Sequence, residues 1–244
     1  MIPFTVRTFA ALCVILALLA APLNAATVPE RLVYRLSWTG IAIGTATQEI
    51  RAEGGTHRIF VTARSNDWLS VFFPVDDRIE SVLDKEGGVF PGVSRSFRME
   101  TREGSHQRDR EILFGRSGTA VFHDRRSGER FTLSPPPGTF DIYSSFFHVR
   151  YLPLEVGRSV YVNILDGKEV QRLEVRVLRR ETLRTVLGPV STIVVKPLVR
   201  SEGVFEGKGG VTIWLTDDAR RIPVRVQTKV TVGSVTATLV ERSP

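Results

Sequence analysis

From Leu32 onward the chain alternates between apolar and polar positions. Leu32, Tyr34, Leu36 and Trp38 interleave with Val33, Arg35 and Ser37, the period of two that sends successive side chains to opposite faces of a strand. Further runs follow over 41–50, 58–64, 78–83, 93–101, 108–114, 119–123, 159–165, 170–179, 183–187, 190–196, 211–216, 222–232 and 234–240. Between them stand turn formers: Gly54-Gly55, Gly87-Gly88, Asp166-Gly167, Gly188-Pro189 and Gly233-Ser234. In one run Ile222, Val224, Val226, Thr228, Val230 and Val232 share a face, while Arg225, Gln227, Lys229 and Thr231 share the other. One apolar face and one polar face describe an antiparallel sheet, since parallel sheets read as continuous apolar runs joined by helical crossovers. The pattern therefore predicts an all-β chain. So many short strands would leave a flat sheet with vulnerable edges, which favours a strongly curled or barrel-like single domain.

Two stretches break the alternation. In the first, Asn66 to Pro74, the aromatics Trp68, Phe72 and Phe73 sit between turn formers, and Pro74 would end a single helical turn. The second, 141–152, repeats apolar positions at 142, 146 and 149 and again at 143, 147 and 151. That spacing predicts a short helix with Asp141 as N-cap and Pro153 as its stop. A curled sheet that is not filled by its own side chains encloses a ligand. If there is a ligand, the expected wall is Trp68, Phe72, Phe73, Tyr143 and Phe147, with Arg150 offered to an anionic headgroup. The competing reading makes the phenylalanines ordinary core. Ala42, Gly44 and Ala46 leave room on an early strand.

The first residues read differently. Arg7 precedes an unbroken apolar run from Phe9 to Ala21, followed by Pro22-Leu23-Asn24-Ala25-Ala26. A charged start, an apolar stretch too short for ~30 Å of hydrocarbon and a small-residue site predict a secretory signal over 1–26, cleaved after Ala25 or Ala26. The mature domain would then span 27–244 in the periplasm. No other segment is apolar enough to span a membrane. Cys13 is the only cysteine and leaves with the signal, so the mature chain would hold together by burial alone.

The whole sequence carries 33 Lys+Arg against 26 Asp+Glu, a formal +7. Of the cations 28 are arginine and five lysine, scattered over many segments rather than gathered in a stripe. Scatter of that kind fits compositional bias better than nucleic-acid binding. Arginine would nevertheless suit an anionic partner.

Catalytic chemistry finds little footing. Asp141, Ser144, Ser145 and His148 would share one side of the predicted helix, but no strained turn exposes a nucleophile there and no oxyanion donors are evident. The four histidines, His57, His106, His123 and His148, form no HxH or HxxxH pair, so no metal is expected. Adjacent acids at Asp76-Asp77 and Asp217-Asp218 would face opposite ways on a strand. Gly207-Lys208-Gly209-Gly210 opens a strand, not a helix, and is no phosphate loop. The reading is a non-enzymatic protein without cofactor.

Several landmarks fall together: Glu30-Arg31-Leu32-Val33-Tyr34 with Trp38-Thr39-Gly40-Ile41 and Gly44; Asp141-Ile142-Tyr143-Ser144 with Phe146-Phe147 and Arg150; Leu187-Gly188 before a strand ending Lys196-Pro197; and Trp214-Leu215-Thr216 with Asp218, Arg221 and Pro223. In these the chain resembles the domain-of-unknown-function family 3108 over essentially its whole mature length. Asp141, Ser144, Arg150, Trp214, Asp218 and Arg221 match the family's motif positions, whereas Ser145 and His148 have no place in it. The resemblance implies an exported bacterial β-protein of the cell envelope, with no established reaction or cofactor. Two functions remain. One is a carrier or binding module for an amphiphilic, lipid-like ligand; the other is a scaffolding protein with a filled core and an arginine-rich surface for anionic partners.

Overall fold

The computed structural model describes residues 28–86, 88–198 and 210–244. The predicted signal over 1–26, Gly87 and the stretch Gly207-Lys208-Gly209 lie outside the described residues. In chain order the elements are β1 (Glu30–Trp38), β2 (Ile41–Glu53), β3 (Thr56–Ser65), α1 (Asp67–Ser70), β4 (Asp76–Asp84), β5 (Val93–Glu103), β6 (His106–Phe114), β7 (Ala120–Asp124), β8 (Arg130–Leu133), α2 (Ile142–Arg150), β9 (Ser159–Asp166), β10 (Glu169–Thr185), β11 (Gly188–Leu198), β12 (Val211–Thr216), β13 (Pro223–Lys229) and β14 (Ser234–Ser243). All-β alternation is thus realised, with α2 where the 3.6-residue spacing put it and α1 as a single turn before Pro74.

The strands form one antiparallel sheet in the order β8-β7-β6-β5-β4-β3-β2-β1-β14-β13-β12-β11-β10-β9. The chain meanders outward from β1 to the β8 edge, crosses the molecule through α2, and meanders back from the β9 edge until β14 pairs with β1. Tyr34 lies opposite Leu239 and Leu36 opposite Ala237 in that last ladder. First and last strands are therefore joined in the middle of the sheet, where neither is an open edge.

The sheet curls without closing into a hydrogen-bonded ring. Phe140 instead lies parallel to β9: its N–H donates to the Asn163 carbonyl (2.9 Å) and its carbonyl accepts from the Leu165 N–H (2.8 Å), which covers that edge. The two ends of the sheet also meet directly, because Lys168 in the β9–β10 turn pairs with Glu129 at 2.9 Å and lies 4.5 Å from the centre of the Phe131 ring. Curling brings inward side chains of both halves into one core. Ile59, Ile79, Phe97 and Phe122 from the first meander join Ile164, Leu173, Ile193 and Ile213 from the second, around Phe147 of α2. Each such side chain contributes about 1.5–3 kcal/mol by burial.

Three details depart from the sequence reading. The runs at 170–179 and 183–187 are one strand, β10, interrupted by a bulge between Val177 and Arg179 that shifts the alternation and hides the continuity. Strand β8 went unpredicted because Arg130-Phe131-Thr132-Leu133 is short and mostly exposed, so no core face patterns it. Gly44 leaves no room: a Cβ there would stand 2.2 Å from the Arg64 carbonyl oxygen, and the vacancy inferred from small residues is occupied by the backbone of β3.

Candidate functional site

α2 is held from its first residue. Asp141, fully buried, accepts hydrogen bonds from the Tyr143 N–H (3.0 Å), the Ser144 N–H (2.9 Å), the Ser144 hydroxyl (2.6 Å) and, from β4, the Ser81 hydroxyl (2.9 Å). Burial pushes its carboxyl above the ordinary range, against the pull of these donors. The cap therefore does more than start the helix. It ties α2 to the inner face of the sheet.

The other end is tied by Arg150, which is 3% exposed. Its guanidinium makes two hydrogen bonds to the Glu30 carboxylate (2.8 and 3.2 Å) and donates to the carbonyls of Arg221 (2.9 Å) and Arg220 (3.0 Å). Burial opposes its charge, but the Glu30 carboxylate holds its pKa above the ordinary arginine value. The carbonyls are presented by a turn that Asp218 shapes, accepting from the Thr216 hydroxyl (2.7 Å) and the Arg220 N–H (3.0 Å). Arg221 closes the turn in the left-handed region, φ +47°, with its guanidinium on Asp217 at 2.7 Å. Arg150, Asp218 and Arg221 thus belong to one structural node. Trp214 is outside it, buried on the opposite face of β12 from Ile213, donating its indole N–H to Glu181.

The helical Asp, Ser and His do not assemble a nucleophile. Ser144 donates to Asp141 and Ser145 to the Ile142 carbonyl (2.7 Å). The His148 Nδ1 faces the Phe90 carbonyl (2.8 Å), and its ring stacks on Phe140.

Between α2 and the sheet lies a cavity of about 210 Å³. Tyr143, Phe146, Val149 and Arg150 form its helical wall; Gln48 and Val61 come from β2 and β3; Val195, Val211, Ile213, Leu215, Pro223, Val226 and Ala237 line the rest. Nearly all of this surface is carbon. The Gln48 amide and the Tyr143 hydroxyl have no hydrogen-bond partner among the described residues, whereas Arg150 is committed to Glu30 and two carbonyls.

The expected ligand wall is therefore divided. Tyr143 and Arg150 reach the cavity, but Arg150 cannot serve as a headgroup clamp while Glu30 neutralises it. Phe147 is 1% exposed in the core. Trp68, Phe72 and Phe73 are not among the residues that line the cavity and are exposed around α1 at the end of β3. Glu30, Leu215 and Pro223 stood in the sequence only as landmarks without a role, and the other β11–β14 lining residues were not singled out. Strand phase places Val226 on the apolar face of its run, yet nothing local says that β2 and β3 face β11 and β12 across α2.

Near the Tyr143 end, burial first and then the Glu103 carboxylate push Asp77 up to about 7 from an ordinary 3.8, against the Arg102 N–H donating to it at 3.1 Å. The folded state thus holds this proton more tightly than the unfolded chain does. Asp77 should make stability fall as pH rises from ~4 to ~7 and level off above. Urea midpoints across that range should show this slope in the wild type and its loss in Asp77→Asn. An identical slope in both proteins would contradict it.

Comparison with known proteins bears on the fold. A family model described as "Protein of unknown function (DUF3108)" matches residues 33–240. The crystal structure of a beta-barrel-like protein of domain of unknown function DUF1849 from Brucella abortus superposes with a TM-score of 0.56 at 13% identity, over 89% of this chain and 98% of that one. A duf1089 family protein from Pseudomonas aeruginosa is a more distant likeness, with a TM-score of 0.38 at 16% identity over 73% of this chain and 87% of that one. No curated protein matches. At 13% identity the likeness to the Brucella abortus protein is one of fold alone.

Proposed function

The chain belongs to the DUF3108 family, and from the geometry of its interior we propose that it is a binding or carrier protein that holds the apolar part of an amphiphile in the cavity beside α2. The single observation that supports this is a 210 Å³ space between α2 and the sheet, lined almost wholly by apolar side chains. Packed interiors leave few voids larger than a water molecule, and apolar cavities of ~150 Å³ take up benzene or xenon. The volume is below the ~300 Å³ of drug-sized sites. It therefore suits a small ring or part of one acyl chain, with Gln48 and Tyr143 left to meet a polar group. A scaffold with a filled core would have no reason to keep this space. In this reading the segment 1–26 exports the chain, and the ligand is met in the periplasm.

Native mass spectrometry of the protein purified from its own envelope tests both parts. The expected mass is that of a chain beginning at Ala26 or Thr27, with a retained adduct. Ala237→Phe, which projects a ring into the cavity without adding charge, should abolish the adduct and reduce uptake of a fluorescent fatty-acid probe at least ~10-fold. A wild type without adduct or uptake would refute the carrier reading, and a chain still carrying Met1 would refute export with cleavage.

A further inference from the structure

The four most exposed large apolar side chains among the described residues are Phe72 (81%), Val71 (76%), Val232 (67%) and Ile41 (58%). All four stand at one end of the sheet, on three turns far apart in sequence. The turns are fastened together: the Trp38 indole donates to the Val232 carbonyl (2.8 Å), Thr39 N–H to Ser234 (2.9 Å), Asn66 N–H to Ile43 (2.8 Å), and the Trp68 indole to Ala42 (3.3 Å). Scattered exposed apolar residues are ordinary, but a contiguous, rigidly held set marks an interaction surface.

The charge around this rim selects its partner. Arg35, Arg102 and Lys229 have no carboxylate partner among the described residues, and Arg64 and Arg78 share the one carboxylate of Asp76 at 3.3 and 3.5 Å. Asp67 is the one acid on these three turns, and the neighbouring Glu103 is already paired with Arg108 at 3.4 Å, so cations prevail. The apolar side chains project from turn tips instead of lining a groove, which offers a protein helix or strand no channel. Trp38 and Trp68 combine an engaged N–H with an open ring, the property that places tryptophan at headgroup level. We propose that this end of the curled sheet docks on an anionic lipid bilayer, inserting Val71, Phe72, Ile41 and Val232 among the acyl chains while the surrounding arginines and Lys229 meet the headgroups. The cavity lining reaches this end at Val211, where β12 starts beside the 230–233 turn.

Flotation of the full protein with phosphatidylglycerol-rich vesicles and with pure phosphatidylcholine vesicles tests the surface. The wild type should bind the anionic vesicles, and added salt should weaken that binding. Val71→Ser/Phe72→Ser should lose at least ~10-fold in affinity at an unchanged urea midpoint, and Arg35→Gln/Lys229→Gln should lose affinity on anionic vesicles alone. No binding by the wild type, or equal binding by the serine variant, overturns the proposal. So does a concentration-dependent dimer that Phe72→Ser dissolves, because the surface would then belong to a second copy. None of these four positions lines the cavity, so probe uptake in solution should be unchanged in every variant; loss of uptake by the wild type would count against the carrier reading and not against docking.

Discussion

Arg150→Met should destabilise the protein by about 3–5 kcal/mol, the usual consequence of leaving a buried charge without its partner. The charge left behind is Glu30, 2% exposed beneath the helix end, with only the longer contact to Arg242 at 3.7 Å still opposing it. The carbonyls of Arg220 and Arg221 would lose their donor as well. In a chain of this size the change corresponds to a fall of roughly 10 °C in Tm. Glu30→Met alone should be similarly damaging, and the double variant Glu30→Met/Arg150→Met should recover part of the loss, because the two deeply buried charges leave together and only the longer Arg242–Glu30 contact is lost with them. A double-mutant cycle by urea denaturation measures the coupling. Additive losses would show that the pair does not hold α2 in the way the geometry describes.

Phe147→Ala should cost about 3–5 kcal/mol, a lost transfer term plus the cavity left where a ring had been. The site cannot collapse readily. Phe147 is packed among side chains from both meanders, and the Arg150 guanidinium lies 5.4 Å from its ring centre. Its truncation should leave probe uptake by the remaining folded molecules unchanged, because Phe147 does not line the cavity. A Phe147→Ala protein of wild-type stability with lost uptake would reverse that assignment and make the residue part of the ligand wall.

Strand after strand was legible because a period of two is a local property. Leu32 and Tyr34 point inward whatever β1 pairs with, and the cap at Asp141 and the stop at Pro153 lie within a few residues of α2. Motif positions were visible in the same way, although their purpose was not. Asp218 reads as a turn residue until the turn is seen to offer carbonyls to Arg150. Where alternation is interrupted, as by the bulge in β10, or absent, as in the exposed β8, the local signal fails and so did the reading.

The sequence by itself determined the all-β class, the antiparallel alternation, the place of the one substantial helix and the family. Tertiary structure alone decided which strands face one another across α2, and with that everything about the site. Glu30 and Arg150 are 120 residues apart in the chain; no local pattern pairs them. The cavity is a volume that Gln48, Tyr143, Ile213 and Ala237 fail to fill, and a void has no residue of its own to be read. The apolar rim likewise exists only because β1 pairs with both β2 and β14, which carries the 38–41, 66–73 and 230–233 turns to the same end of the sheet. Periodicity is set by the geometry of one strand, whereas neighbours are chosen by the closing of a whole sheet around its core.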